Sequence, residues 1–346
     1  MKRSKMHFKV SGFVGFIIVT VLVTVMSVLT VSASENKVYK ARLSYHWGPK
    51  HMSAIMANKF AEECKKATNG RLDIEVFPSG QLFNIKQILP AVSQGSVEMG
   101  GVVGVFFMRG DNNFYMLGLQ RFFNGFQQKR DFWEKTPAGK KVWEGFQKKL
   151  GFKILSYIPV GPCCYFSSKQ LDSISAFKGL KARYLIPTEK ASFKVLGTKY
   201  VGVSTAEVYT ALKTGMIDTV STVPSAIKAY SWWDYLKYAQ LPYTLYADAY
   251  ITVNTKWWDT LPKEIQDIVL NDVGPRISKE ATDSVMDFSD NILKELVEKH
   301  GGTVSPLPEA EIKKLKELDK TIIWPEIAKK IDPALYEAAK KFTGNE

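Results

Sequence analysis

Cysteine and histidine are scarce, with three of the first and four of the second in 346 residues. Small exported domains held by disulfides carry a denser and even set, so Cys64, Cys163 and Cys164 do not form a disulfide framework. Cys163 and Cys164 are neighbours, and a bridge between them would need unusual backbone geometry. All three are expected to be small buried residues. Of the histidines, only His46 and His51 lie close together. A pair with no Cys, Asp or Glu set at ligand spacing does not make a metal site, so neither metal nor other cofactor is expected, and His46 is left to line a cleft or cap a loop. Catalytic signatures are missing too. There is no Gly-x-Ser-x-Gly elbow and no His-Glu-x-x-His. Lys213-Thr214-Gly215 and Ser225-Ala226-Ile227-Lys228 come in the wrong order for a penicillin-binding enzyme. Gly100, Gly101 and Gly104 miss the dinucleotide spacing. Without a nucleophile–base pair the chain reads as a non-enzyme.

A compact basic patch is also lacking. The formal net charge is +13, but Lys2, Arg3, Lys5 and Lys9 supply four charges in the leading segment, and the rest are scattered lysines such as Lys313, Lys314 and Lys316. No arginine–aromatic cluster accompanies them, and nucleic acid is excluded as a partner. What is present is enough apolar and aromatic material, 45% and 12%, to bury a sizeable core. The length suits two domains.

The leading segment has a separate purpose. Four basic residues precede an uncharged run from Val10 to Val31, and Val31-Ser32-Ala33 places small residues at −3 and −1 of a cleavage site. Residues 1–33 are therefore read as a cleaved signal peptide. An uncleaved membrane anchor is the competing reading, since the run could span a bilayer. Either way the rest of the chain is expected outside the cytoplasm.

Alternating apolar residues Tyr39, Ala41, Leu43 and Tyr45 predict a strand. Met56, Phe60 and Cys64, spaced by four, predict a helix stopped by Asn69-Gly70. A strand through Leu72, Ile74 and Val76, a helix from near Asn84 and a strand over Val97–Val105 complete a β-α-β-α-β unit. Residues 106–150 read as mostly helical, and Phe152–Ile158 as a buried strand ending before Gly161-Pro162. The rhythm then restarts with strand Ala182–Ile186, helix Pro187–Leu196, strand Tyr200–Val203, helix Thr205–Thr214 and strand Met216–Ser221. Ser204 and Glu207 form a capping box. A strand near Tyr250–Val253 and long helices over Pro275–His300 and Pro308–Thr321 follow. Two α/β units predict two lobes with a crevice at the carboxyl ends of the strands. Arg183, at a strand end before the helix opened by Pro187, is the candidate anchor: its guanidinium can grip a carboxylate with two parallel hydrogen bonds.

Several blocks in order resemble the solute-binding proteins of TRAP (tripartite ATP-independent periplasmic) transporters. They are Arg42-Leu43-Ser44-Tyr45, Thr68-Asn69-Gly70-Arg71, Glu75-Val76-Phe77-Pro78-Ser79-Gly80-Gln81-Leu82, Gly179-Leu180-Lys181-Ala182-Arg183, Phe193-Lys194-Val195-Leu196-Gly197, Glu207-Val208-Tyr209-Thr210-Ala211-Leu212 and Trp258-Asp259-Thr260-Leu261-Pro262. The resemblance implies an α/β, two-lobed, type II-like periplasmic binding fold with the ligand cleft between lobes and long C-terminal helices. Lobe I would be 34–160 plus 249–288, and lobe II 161–248 plus 289–346. It implies a periplasmic receptor that captures a small organic acid through an arginine–carboxylate salt bridge and delivers it to membrane permease subunits. Arg183 would hold the carboxylate and Phe193 would pack on the ligand body. Tyr45, His46, Asn84, Tyr165, Thr222 and Tyr246 are expected wall residues. Two positions depart from the pattern: Val223 stands where many members have asparagine, and Cys163 where a second arginine is frequent. Both remove polar groups, which favours a monocarboxylate with an apolar or aromatic body. A ligand sensor for a membrane receptor and an exported enzyme on the same scaffold are the alternatives.

Overall fold

The computed structural model describes residues 37–346, so the expected signal peptide lies outside the described residues. Strand β1 (Tyr39–Ser44) leads to helix α1 (Met52–Ala67). The helix starts where the His51 ring accepts the Ser53 N–H, one of the donors a first turn leaves unpaired. It buries Met56, Phe60 and Cys64 and stops at Asn69-Gly70, both with positive φ. Strand β2 (Leu72–Phe77), helix α2 (Ile88–Gln94) and strand β3 (Met99–Val103) follow. β1 pairs parallel with both β2 and β3, as the β-α-β-α-β rhythm predicts. Helix α2 begins four residues later than Asn84, whose side chain instead accepts the Lys86 N–H in the preceding turn. β3 ends at Val103 and runs into a 3₁₀ stretch, Gly104–Arg109.

Helices α3 (Phe126–Lys135) and α4 (Pro137–Leu150) carry the aromatic middle. Here Phe107, Phe114, Trp133, Trp143 and Phe146 meet at centroid distances of 4.4–5.9 Å. Strand β4 then runs from Phe152 to Ser167, straight through Gly161-Pro162 where the sequence predicts a break. The irregular residues are absorbed by bulges, between Ile154 and Ser156, Pro159 and Gly161, and Cys163 and Tyr165. A proline cannot donate to a ladder, and bulges are where a sheet tolerates one. Gly161 has φ +144, and a Cβ there would lie 3.2 Å from Val223.

The second unit follows: β5 (Lys181–Tyr184), α5 (Pro187–Val195), β6 (Lys199–Gly202), α6 (Val208–Lys213), β7 (Thr219–Thr222) and α7 (Pro224–Ala229). The capping box at Ser204 and Glu207 is present. β8 (Tyr238–Asn254) is as long as β4 and pairs with it antiparallel from Phe152↔Asn254 to Ser167↔Tyr238. The sheet order β2-β1-β3-β8-β4-β7-β5-β6 makes these two strands the spine between both parallel units. The sheet is thus mixed rather than wholly parallel.

Helix α8 (Lys263–Ile268) passes through a π-helical turn, Val269–Val273, into α9 (Gly274–His300). β9 (Thr303–Pro306) adds to β8, and α10 (Glu309–Leu318), a π-turn at Asp319–Ile323, α11 (Trp324–Ala328) and α12 (Pro333–Thr343) close the fold. Among the described residues no helix is long and apolar enough to cross a membrane. The main core spans both units, and a smaller cluster of Tyr165, Leu171, Phe177, Leu180 and Phe193 sits under the second.

Candidate functional site

Arg183 is the next-to-last residue of β5, paired with Val201 on β6 and Val220 on β7. It is 2% exposed, an arginine sunk at the carboxyl end of a parallel strand. Its Nε donates to the Val203 carbonyl at 3.0 Å and one terminal nitrogen donates to Thr205 Oγ1 at 3.2 Å. A guanidinium has five N–H donors, so these two bonds fix its plane and leave the others free for a ligand. Burial lowers its pKa, opposed by the nearby Glu189 carboxylate. It stays charged all the same, because so basic a group does not deprotonate in proteins.

The guanidinium opens into a cavity of about 90 Å³. Glu189 enters from the first turn of α5, where Oε2 accepts the Leu185 and Ile186 N–H groups at 2.6 and 3.2 Å. Burial raises its pKa and Arg183 pulls it back. From the first unit come His46, Trp47 and His51. Burial holds His46 neutral, helped by repulsion from the charged Arg183, and its Nδ1 has no hydrogen-bond partner among the described residues. His51 is pushed down to about 3 by burial alone. The remaining wall is largely apolar, with Ile85, Val105, Val160, Val223 and Leu245.

Of the expected site residues, the cavity brings together Arg183, His46 and Thr222. The other five lie elsewhere. Phe193 belongs to the smaller core cluster with Tyr165, fully buried, and does not line the cavity. The Tyr165 hydroxyl donates to Gln120 at 2.9 Å, and that of Tyr45 to Asn58 at 2.7 Å. Asn84 is exposed in its turn. Tyr246 lines a separate groove with Arg121 and Tyr243. The departures Cys163 and Val223 do line the cavity. Sequence reading missed Glu189, Thr205, Tyr230 and Trp232. Glu189 had a signal, since an acid two residues after the helix-opening Pro187 reads as a cap, but that it also faces Arg183 does not show in spacing.

A larger groove of about 500 Å³ follows the outer side of α5, lined by Lys190, Lys194, Ile327 and Lys330. It holds none of the expected site residues and no buried charge, so the cavity at Arg183 is the candidate. No cluster of three or more His, Cys, Asp or Glu able to hold a metal occurs among the described residues.

A family model described as bacterial extracellular solute-binding protein, family 7, matches residues 43–330. The C4-dicarboxylate-binding periplasmic protein of Rhodobacter capsulatus is 29% identical over 214 residues, 61% of this chain and 63% of the relative, so the match spans under two thirds of that relative's length. The 2,3-diketo-L-gulonate-binding periplasmic protein of Escherichia coli is 26% identical over 262 residues, 73% of this chain and 77% of the relative. In fold, a Bordetella pertussis extracytoplasmic solute receptor binding pyroglutamic acid superimposes with TM-score 0.80 at 22% identity, covering 87% of this chain and 99% of the receptor. The sugar acid binding protein of Advenella mimigardefordensis, solved with galactonate, gives 0.79 at 22% identity, covering 88% and 99%.

Proposed function

The chain belongs to family 7 of the bacterial extracellular solute-binding proteins, the TRAP receptors, and from that premise we propose that it captures a small organic acid outside the cytoplasm and hands it to TRAP membrane subunits, without catalysing a reaction. The observation that carries this reading is Arg183: a buried guanidinium, braced by Val203 and Thr205, with donors to spare at the edge of a cavity. The ligands that the relatives' names and titles give, C4-dicarboxylate, diketogulonate, galactonate and pyroglutamate, share a carboxylate and support the same assignment. A cleaved signal peptide over residues 1–33 would deliver the chain to that compartment.

The proposed lobes, 34–160 with 249–288 and 161–248 with 289–346, are supported by where the chain would cross between them. Pro159 pairs with Asp248 next to a bulge in β4, and a Cβ on Gly161 would lie 3.5 Å from Ser289 Oγ on α9. The three crossings thus gather at one level, where a hinge motion needs them. In the closed cleft the arginine–carboxylate pair is desolvated, and removing one partner strands the other. Small acids bearing a carboxylate, amino acids among them, are expected to raise the melting temperature of the native protein, by about 2.7 kcal/mol of stabilisation at a hundred times Kd. Arg183→Ala is expected to abolish that rise. Undiminished ligand stabilisation in the variant would overturn the assignment.

A further inference from the structure

We infer that the acid held at Arg183 is a zwitterion, a small amino or imino acid whose nitrogen end faces Glu189. This rests on the carboxylate reading of Arg183 and adds the other end of the ligand. Arg183 and Glu189 are the two charged side chains lining the cavity, 2% and 7% exposed. The backbone hydrogen bonds of Glu189 run through Oε2, so Oε1 keeps its capacity to accept, with the Ser221 hydroxyl nearby. Burial holds both cavity histidines neutral.

The charge count then decides the ligand. Burial raises the Glu189 pKa while two backbone N–H donors and the Arg183 guanidinium favour its charged form, and with Glu189 ionised the guanidinium and carboxylate leave the cavity neutral. A plain monoanion would then add one negative charge that the lining compensates only by protonating Glu189, and buried charges persist only when paired. A zwitterion adds no net charge: its carboxylate takes the free arginine donors and its ammonium donates to Glu189. The rings of Trp47, Tyr230 and Trp232 also line the cavity, with Tyr230 and Trp232 stacked on each other. Trp232 is 1% exposed and its Nε1–H has no acceptor among the described residues, a second donor for the ligand carboxylate. The apolar wall of Ile85, Val105, Val160 and Leu245 offers no partner to hydroxyls on that side, which disfavours a long polyol chain.

The test is calorimetric and thermal-shift binding of the full mature chain to the twenty common amino acids and to their des-amino counterparts. The pairs include L-proline with cyclopentanecarboxylate and L-valine with isovalerate, with pyroglutamate as the anionic lactam. At least one amino member is expected to bind ten times more tightly than its des-amino partner. In Glu189→Gln, which keeps an acceptor for the Leu185 N–H, that ratio is expected to fall below threefold. Des-amino acids binding as tightly as amino acids, with binding lost in Arg183→Ala, would overturn the zwitterion and leave the arginine assignment standing. An unchanged ratio in Glu189→Gln would remove Glu189 from the site. If no member of either series binds, the carboxylate reading of the cavity fails and the inference fails with it.

Discussion

His51 uses both ring nitrogens. Nδ1 accepts the Ser53 N–H at 3.2 Å, so in the neutral ring the proton sits on Nε2, which donates to Ser225 Oγ at 3.1 Å. One ring therefore starts α1 and ties it to α7, which follows the last strand of the second parallel unit. Protonating Nδ1 would break the first bond, and burial pushes the pKa down to about 3. The sign follows by linkage. Below the ordinary histidine value near 6.5 the unfolded chain binds a proton that the folded chain refuses, so stability present above pH 6.5 is lost as pH falls towards 3. From pH 7 to pH 5 the loss from His51 is about 2 kcal/mol. His46 adds to it in the same direction, while Glu189, raised by burial, contributes stability below its unfolded pKa that fades as pH rises. His51→Gln keeps both hydrogen-bonding roles without the charge. Denaturant unfolding at pH 7 and pH 5 should show a smaller drop for the variant, and equal drops would refute the assignment. The sequence presents His46 and His51 as a neighbouring pair, but their neutrality depends on burial by residues far along the chain, such as Arg183 and Ser225. Arg183 itself was legible because a strand end, a proline-opened helix and a family block coincide there.

At the scale of elements, the π-turn between α10 and α11 presents Asp319 to Arg121 in a two-bond pair at 2.6 and 2.8 Å, with side chains 0% and 7% exposed. Next to it Trp324 donates to the Gln120 carbonyl at 2.9 Å. Removing one partner of such a pair leaves a buried charge and costs about 3–5 kcal/mol. Asp319→Ala is expected to lower the melting temperature on the order of 10 °C. Arg121→Met with Asp319→Leu should recover most of the loss, and a double variant no better than the single would show the charge is not the cause. Helices α1, α5 and α9 were readable because capping residues, proline and glycine mark them locally. β4 was not, since Pro159, Gly161 and Pro162 signal an ending that antiparallel pairing with β8 overrides through bulges. Phe193 shows a finer limit. It lies one turn beyond Glu189 on the same face of α5, and only the helix's placement over the sheet decides which of the two reaches the cavity.

At the scale of the molecule, the two parallel units are held together by strands and helices far apart in sequence. β3 pairs with β8 across about 150 residues, Met99 opposite Val253, and Tyr238 on β8 in turn pairs with Thr303 on β9. A chain ended after Gly302 lacks β9, Asp319 and Trp324, and so orphans Arg121 in the first unit. Such a truncation is expected to lose the cooperative thermal transition of the intact protein, and a sharp melt by calorimetry would contradict the dependence. The spine of β4 and β8 also bears on the order of events during folding. β8 is the strand that joins the two parallel units, and it is made only after both have been synthesised. Contacts so distant in sequence close slowly. A polypeptide whose central strand arrives late has little to hold it in a final shape while it is still being made, a favourable property for a chain destined to work outside the cytoplasm.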